Sequence, residues 1–334
     1  MLKSANADNL QFWLQQQEPQ TLDELFGKNL DELIRTAKDF EPALGVNVLQ
    51  TLVEVPLLGA PCADISFSFD TLDFRTNYFN SEAGRRIQPL FHYCSLLIRE
   101  SNPLFIEIDT SRHNPVPGVF LDCLKYGDMI FERLWQKDAE PPQWNRVSAL
   151  VRNLPNLWQL LYVGFMPNRQ DIPLKLIFVR LDRENNYLPN NPEDIATLLD
   201  YLGHEPLPQD AREKLKVLKD LDFNKITVSM EMLPNGSFGP ILGTEIFLPE
   251  DLENPQELLN TEKGQKLVRQ LQNWELADRR TELLTDCCGI FFPPRNFQCM
   301  ESQFQVFPNH IKLRWQDGQP LPAKAYLSVN SYFR

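Results

Sequence analysis

The chain has 334 residues, 43% of them hydrophobic, and a formal net charge of −12 at pH 7. This length allows one large domain or two ordinary ones. The acidic balance argues against nonspecific binding to nucleic acid and against attraction to an anionic membrane surface, because both partners are negatively charged. The sequence shows no apolar run of membrane-spanning length and no signal-peptide core, so we expect a cytoplasmic protein.

The N-terminal segment, residues 1–60, is predicted to be helical. Residues 8–18 are typical of a short amphipathic helix, and Thr21 followed by Glu24 is a capping-box pattern for a second helix. Residues 45–58 are interpreted as a further helix, although their valines weaken that interpretation.

The remaining chain, residues 61–334, repeats hairpins and helices. Alternation of apolar and polar residues predicts five hairpins, with arms at residues 64–70 and 74–79, 104–109 and 116–123, 160–166 and 174–181, 226–232 and 241–248, and 310–315 and 324–329. Helical spacing and helix-start patterns predict helices between them, at residues 81–99, 124–137, 143–154, 192–202, 208–221, 255–275 and 277–287. Residues 289–307, rich in Pro and Phe, are predicted to be a loop.

The last hairpin shows strict period-two alternation in both arms. A turn at Asp317 and Gly318 joins them, since glycine readily adopts the positive φ that such turns require. One face of this hairpin gathers three cations, a histidine and a phenol: His310, Lys312, Arg314, Lys324 and Tyr326. In an acidic chain this face is the best candidate for a functional surface, and its alternative is an ordinary solvated sheet face.

These units predict one α+β domain spanning residues 1–334. Repeated helix–helix–hairpin units supply up to ten antiparallel strands, and so large a sheet tends to curl. We therefore expect a large curled antiparallel sheet or barrel with outer helices, whose polar strand faces line a concave surface or a lumen. Two domains divided near residue 155 are the rival interpretation.

Common motifs for cofactors and metals do not occur in the sequence. It contains no P-loop, no dinucleotide-binding glycine pattern and no nucleophile elbow. The histidines and cysteines lack zinc-site spacing, so no metal site is predicted. A paired-aspartate motif for metal-bound diphosphate does not occur either, so the sequence gives no clear requirement for Mg²⁺.

The order of elements and the Lys324-Ala325-Tyr326 motif resemble the αββα-barrel (ABBA) aromatic prenyltransferases. The resemblance implies a transferase that attaches a prenyl group from an allylic diphosphate to an aromatic molecule or peptide. It implies that Lys312, Arg314 and Lys324 bind the diphosphate and that Tyr326 shields the carbocation. It further implies a carboxylate that orients or deprotonates the acceptor, with Glu231 and Glu107 as catalytic candidates and Glu245 as a substrate-binding alternative. His310 is a further substrate-binding candidate from its place on the same hairpin face.

Two alternative functions stay open on the sequence. A curved sheet is also suited to a non-catalytic module that captures a peptide in a groove or at a strand edge. A peptide-modifying enzyme of another chemistry, such as a lyase or cyclase, would use the same acidic and basic side chains. The polar face of the last hairpin should look into an enclosed cavity in an enzyme and out to solvent in a binding module. The acceptor, the donor chain length and the oligomeric state do not follow from the sequence.

Overall fold

The computed structural model describes residues 6–44, 48–69, 82–95, 104–109, 117–167, 169, 173–248, 255–293 and 303–332. Its helices are α1 (Asn6–Gln15), α2 (Pro19–Leu25), α3 (Leu30–Leu44), α4 (Glu82–Tyr93), α5 (Cys123–Arg133), α6 (Trp144–Val151), α7 (Pro192–Leu202), α8 (Gln209–Asp220), α9 (Glu262–Asn273) and α10 (Arg280–Cys287). Its strands are β1 (Val48–Pro56), β2 (Asp64–Phe69), β3 (Leu104–Ile108), β4 (Gly118–Asp122), β5 (Trp158–Phe165), β6 (Leu174–Arg180), β7 (Ile226–Met232), β8 (Phe238–Phe247), β9 (Gly289–Phe291), β10 (Gln303–Gln316) and β11 (Gln319–Tyr332).

The strands form one antiparallel sheet that closes into a barrel. Within the described residues, ten strands form a ring in the order β11, β1, β2, β3, β4, β5, β6, β7, β8 and β10. Pairing of β10 with β11 closes this ring, and β9 adds to β10 outside it. The prediction of an α+β fold with a curled antiparallel barrel and outer helices is confirmed. None of the described helices combines the length and apolar character needed to cross a membrane.

Alternation along strand β7 separates an apolar outer face from a polar inner face. On β7, Ile226, Val228 and Met230 are at most 1% exposed and belong to the hydrophobic core shared with the helices. Their neighbours Ser229 and Glu231 line a cavity inside the barrel. Because successive side chains of a strand point to opposite faces, burying the apolar set under the helices directs the polar set inward.

The last hairpin is longer than predicted. Strands β10 and β11 each have 14 residues, and a two-residue loop joins them. Both loop residues have positive φ, 50° at Asp317 and 76° at Gly318, as in the tight turns that match the twist of a hairpin. The prediction of a loop over residues 289–307 is wrong at both ends, because Gly289–Phe291 pairs with the start of β10 and buries Phe304.

The interpretation of residues 45–58 as a helix is also wrong. Val48–Pro56 is strand β1, which pairs with β11 on one side and β2 on the other. Val53 and Val55 are fully buried on its outer face, where β-branched side chains pack well against a pleated surface. The N-terminal segment therefore contributes a strand to the barrel as well as helices.

Local signals place several helix ends correctly and one incorrectly. In α7, Asn191 Oδ1 accepts a hydrogen bond from the Asp194 backbone N–H (2.9 Å), and Gly203 ends the helix with φ of 69°. Thr21 is not a cap, because α2 begins at Pro19, a residue suited to the first helical turn. The predicted strand at residues 74–79 lies outside the described residues, and β2, its predicted hairpin partner, pairs with β1 and β3 instead.

Candidate active site in the barrel lumen

The barrel lumen contains two adjacent cavities, here named the charged chamber and the aromatic chamber. The charged chamber has a volume of about 110 Å³ and the aromatic chamber about 270 Å³. Glu107, Lys175 and Tyr326 line both of them. The described lining of the charged chamber includes five carboxyl and five cationic side chains: Glu54, Asp64, Glu107, Asp109, Glu231, Arg169, Lys175, Lys312, Arg314 and Lys324.

The structure places every site residue predicted from the sequence on the lumen wall. Two of them, His310 and Glu245, line the aromatic chamber, and the other six line the charged chamber: Glu107, Glu231, Lys312, Arg314, Lys324 and Tyr326. His310, Lys312 and Tyr326 are only 7%, 5% and 8% exposed. The polar face of the last hairpin is therefore enclosed in the barrel and is not a solvated sheet face. The roles proposed for these side chains stay predictions.

Glu54 links a lysine and a tyrosine of β11, Lys324 and Tyr326. It lies opposite Tyr326 across the β1–β11 pair, and its carboxylate accepts hydrogen bonds from Lys324 Nζ and Tyr326 Oη. Burial raises the pKa of Glu54, but Lys324 and these hydrogen bonds outweigh burial and lower it to about 2. Burial and the neighbouring carboxylates raise the pKa of Tyr326 well above its usual value, so the phenol stays protonated. Glu54 was missed because its segment was interpreted as a helix.

A buried ion pair joins β8 and β10. Lys312 Nζ lies 2.7 Å from Glu245 Oε1, and Thr227 Oγ1 donates to Glu245 Oε2 at 3.1 Å. Burial raises the pKa of Glu245, and the attraction of Lys312 reverses this effect and lowers the pKa to about 2. Gly243 makes room for the pair, since a Cβ atom there would lie 2.3 Å from Ser229 Oγ and 3.1 Å from Lys312 Cε.

A third ionic group contains two cations that the sequence did not single out. Arg169, which follows β5, donates from Nη2 to Glu107 Oε1 at 2.9 Å and also pairs with Glu231. Lys175 Nζ on β6 lies 3.4 Å from Glu107 Oε2. Burial is the main cause that lowers the pKa of Lys175 to about 8. Lys175 has apolar neighbours on both sides in β6 and shows an alternating pattern, whereas Arg169 lies outside a regular element and gave no signal.

Arg314 differs from the other cations of the charged chamber. Its Nη2 donates to the backbone carbonyl of Pro322 at 3.2 Å, and its buried Nε has no hydrogen-bond partner. Among the cations described around this chamber, Arg314 is the one without a carboxylate within ion-pair distance. Its guanidinium can therefore bind an anion without first breaking an ion pair. Within the described residues, no group of His, Cys, Asp and Glu is arranged to hold a metal ion.

Aromatic rings from neighbouring strands contact one another in the wall of the aromatic chamber. The imidazole of His310 lies flat on the ring of Tyr326, with centroids 4.0 Å apart, and contacts Phe247 at 5.3 Å. Lys175 Nζ lies 5.2 Å from the ring centroid of Phe120 at the junction of the chambers. Aromatic faces attract cations, so this wall can stabilise positive charge on a ligand.

The carboxyl group of Asp64 is protonated at neutral pH in the folded protein. It lies opposite Glu54 across the β1–β2 pair. Burial and the repulsion of Glu54 and Asp109 raise its pKa to about 8. The folded protein therefore keeps a proton that the unfolded chain releases from about pH 4 upwards, so this carboxyl makes stability fall as pH rises towards 8.

Replacing Asp64 by Asn should remove this loss of stability at high pH. Because an amide cannot ionise, we expect Asp64→Asn to be more stable than the parent at pH 8, by several kcal/mol, and about equally stable near pH 4. Urea unfolding at both pH values measures this. An equal difference at the two pH values would contradict a raised pKa. Exposed Asp220 on α8, changed to Asn, serves as the matched control.

Comparisons with known proteins show the fold. No protein-family model and no curated protein sequence matches the chain. Among solved structures, 6-dimethylallyltryptophan synthase from Micromonospora olivasterospora, in complex with DMASPP and Trp, is similar at a TM-score of 0.59 and 12% identity, over 97% of each chain. AnaPT from Neosartorya fischeri is similar at a TM-score of 0.50 and 12% identity, over 99% of this chain and 92% of that chain. The chain thus has the barrel fold of the ABBA prenyltransferases, and at this identity the likeness shows the fold alone.

Proposed function

We propose that this protein transfers a prenyl group from an allylic diphosphate to an aromatic acceptor, either a small molecule or a peptide side chain. The observation that carries the proposal is the junction of the charged chamber with the aromatic chamber inside one closed lumen. Such a site can hold a leaving diphosphate and an acceptor ring next to each other, away from solvent.

The cations of the last hairpin are suited to the diphosphate. Arg314 has a free buried donor, and Lys312 and Lys324 lie on the same chamber wall. When the allylic C–O bond breaks, its electron pair leaves with the diphosphate, and fixed cations stabilise this growing negative charge. When no anion is bound, Lys312 is paired with Glu245 and Lys324 with Glu54. On donor binding, phosphate oxygens would replace these carboxylates as partners of the two lysines.

The allylic cation needs protection from water and from the nearby bases. Tyr326 lines both chambers, and the ring of Phe120 already lies beside a cationic nitrogen. In our proposal these two π faces shield the cation between donor and acceptor. The low exposure of Tyr326, 8%, is consistent with a site that excludes bulk water.

The two catalytic carboxylates predicted from the sequence differ in the chambers that they line. Glu107 lines both chambers, whereas Glu231 lines the charged chamber and pairs with Arg169. We therefore propose that Glu107 orients a polar N–H or O–H group of the acceptor. Glu231 would hold the guanidinium of Arg169 in place beside Glu107.

The closed ring weighs against peptide capture at a strand edge. Strand addition requires an unpaired edge, and in the described part of the chain all ten barrel strands have two neighbours. A lyase or cyclase acting in the same lumen would not consume an allylic diphosphate, so donor use separates these chemistries from prenyl transfer.

Calorimetric titration and product analysis test the proposal together. Titration with dimethylallyl and geranyl diphosphates should show saturable binding, tighter than for inorganic diphosphate because the prenyl chain adds apolar contact. Incubation of dimethylallyl diphosphate with L-tryptophan, which the Micromonospora neighbour was solved with, and with tyrosine and tryptophan peptides should give adducts heavier by one prenyl unit. If neither donor binds and neither is consumed, the proposed function is wrong.

A further inference from the structure

One member of the last hairpin's polar face is separated from the others. Lys312 and Arg314 line the charged chamber, but His310, two residues earlier on the same face, lines the aromatic chamber. Its imidazole is stacked on Tyr326 and tilted against Phe247, and His310 is only 7% exposed. His310 therefore lies in the chamber that our proposal assigns to the acceptor ring, whereas Lys312 and Arg314 line the chamber assigned to the diphosphate.

A neighbouring side chain sets the tautomer of this imidazole. His310 Nδ1 lies 2.8 Å from Asn309 Oδ1. An amide oxygen only accepts hydrogen bonds, so Nδ1 carries the proton and Nε2 of the neutral ring has a free lone pair. No described residue donates a hydrogen bond to Nε2. An imidazole nitrogen with a free lone pair, on a ring that lines a cavity, is an acceptor site for a ligand.

The charges that face His310 keep it neutral. Acidic side chains approach from β8 and β1, basic ones from β10 and β6, and the phenol of Tyr326 from β11; the charged groups are Glu245, Glu54, Lys312 and Lys175. Burial, opposed by Glu245 and reinforced by Lys312, lowers the pKa of His310 to about 4. At neutral pH the ring is a base with its lone pair available.

We infer that His310 Nε2 accepts the proton that the aromatic acceptor loses when it is prenylated. This inference rests on the proposed function and adds the base to it. The allylic C–O bond breaks and its electron pair leaves with the diphosphate. A bond then forms from the π electrons of the acceptor to the allylic carbon, and the proton on the attacked atom moves to Nε2, which restores the neutral acceptor. The imidazolium next to Glu245 later returns its proton to solvent.

The carboxylates of the lumen are less suited to this step. Glu54, Glu107 and Glu245 are each bound by one or more cations, and Glu231 is bound by Arg169. The attraction of these cations lowers the pKa of Glu54, Glu107 and Glu245 despite their burial. His310 Nε2, in contrast, can accept a proton without the loss of an ion pair.

The first measurement uses NMR of the parent protein labelled with ¹⁵N-histidine. The chain has four histidines, and loss of one signal set in His310→Phe assigns the residue. At pH 7 we expect a neutral ring protonated at Nδ1, and in Asn309→Leu a shift towards the other tautomer. A ring protonated at Nε2, or a charged ring at pH 7, would overturn the inference whatever the protein catalyses.

The second measurement compares two products of one reaction, released diphosphate and prenylated tryptophan. His310→Phe keeps the stacked ring but lacks a base, and general-base catalysis contributes about 10²–10⁴-fold. We expect donor binding and diphosphate release within about threefold of the parent, but transfer at least about 100-fold slower, with the prenyl group recovered as the alcohol. Exposed His92, changed to Phe, is the matched control. Transfer at the parental rate in His310→Phe would overturn this inference alone, whereas no diphosphate release by the parent would overturn the proposed function and the inference with it.

Discussion

Replacing Arg314 by Met should weaken the binding of dimethylallyl diphosphate by about 10- to 100-fold, because a charge-assisted hydrogen bond contributes about 1.5–3 kcal/mol. The guanidinium has no carboxylate partner among the described residues, and its Nε is buried without a hydrogen bond. The variant therefore leaves no buried carboxylate without its cation. We expect its free energy of unfolding to stay within about 1 kcal/mol of the parent, as substitutions that break no buried pair usually do.

Two further variants make this test specific. Arg314→Lys keeps the charge but loses the planar fork that suits phosphate oxygens, so its affinity should lie between those of the parent and Arg314→Met. Exposed Arg183, changed to Met, controls for the loss of one positive charge from the protein as a whole. Titration calorimetry at one salt concentration measures all of them. Equal affinity of Arg314→Met and the parent would show that the diphosphate does not occupy this chamber.

Replacing Lys312 by Met should destabilise the protein by about 3–5 kcal/mol, because it leaves a buried carboxylate without its cation. Lys312 and Glu245 have side chains only 7% and 9% exposed. The double variant with Glu245→Gln should recover most of this loss, since the amide needs no counter-charge and can still accept from Thr227. Urea unfolding of the two single variants and the double variant gives the coupling energy.

The pH dependence of stability gives an independent check on this pair. The pKa of Glu245 is lowered from 4.5 to about 2 in the folded protein. Its stabilisation is therefore complete above about pH 4.5 and is lost as pH falls towards 2. The double variant should show a smaller loss over this range than the parent. If Lys312→Met unfolded at the same urea concentration as the parent at pH 7, the buried pair would not be a stabilising feature of the barrel.

Much of the candidate site was predictable from strand alternation. The alternation of β10 and β11 assigned Lys312, Arg314, Lys324 and Tyr326 to one face, and that of β3 and β7 did the same for Glu107 and Glu231. Where one face of a strand is buried, a period of two decides the direction of every side chain. The sequence did not reveal Arg169, because a residue outside a regular element has no periodic pattern.

Spacing along the sequence was enough to predict which residues share a strand face, that four hairpins alternate with helices after residue 100, and that the sheet is antiparallel. These features depend on local spacing, turn residues and helix caps. The tertiary structure alone decided that residues 48–56 form a strand and that this strand lies beside β11. That pairing brings Glu54 to Lys324 and Tyr326, some 270 residues further along the chain. The tertiary structure also divides the last hairpin between two chambers: His310 lines the aromatic chamber and Lys312 lines the charged chamber. The physical reason is that closure of the ring is a long-range pairing, which is set by the burial of all the outer strand faces together and leaves no signal in any short stretch of sequence.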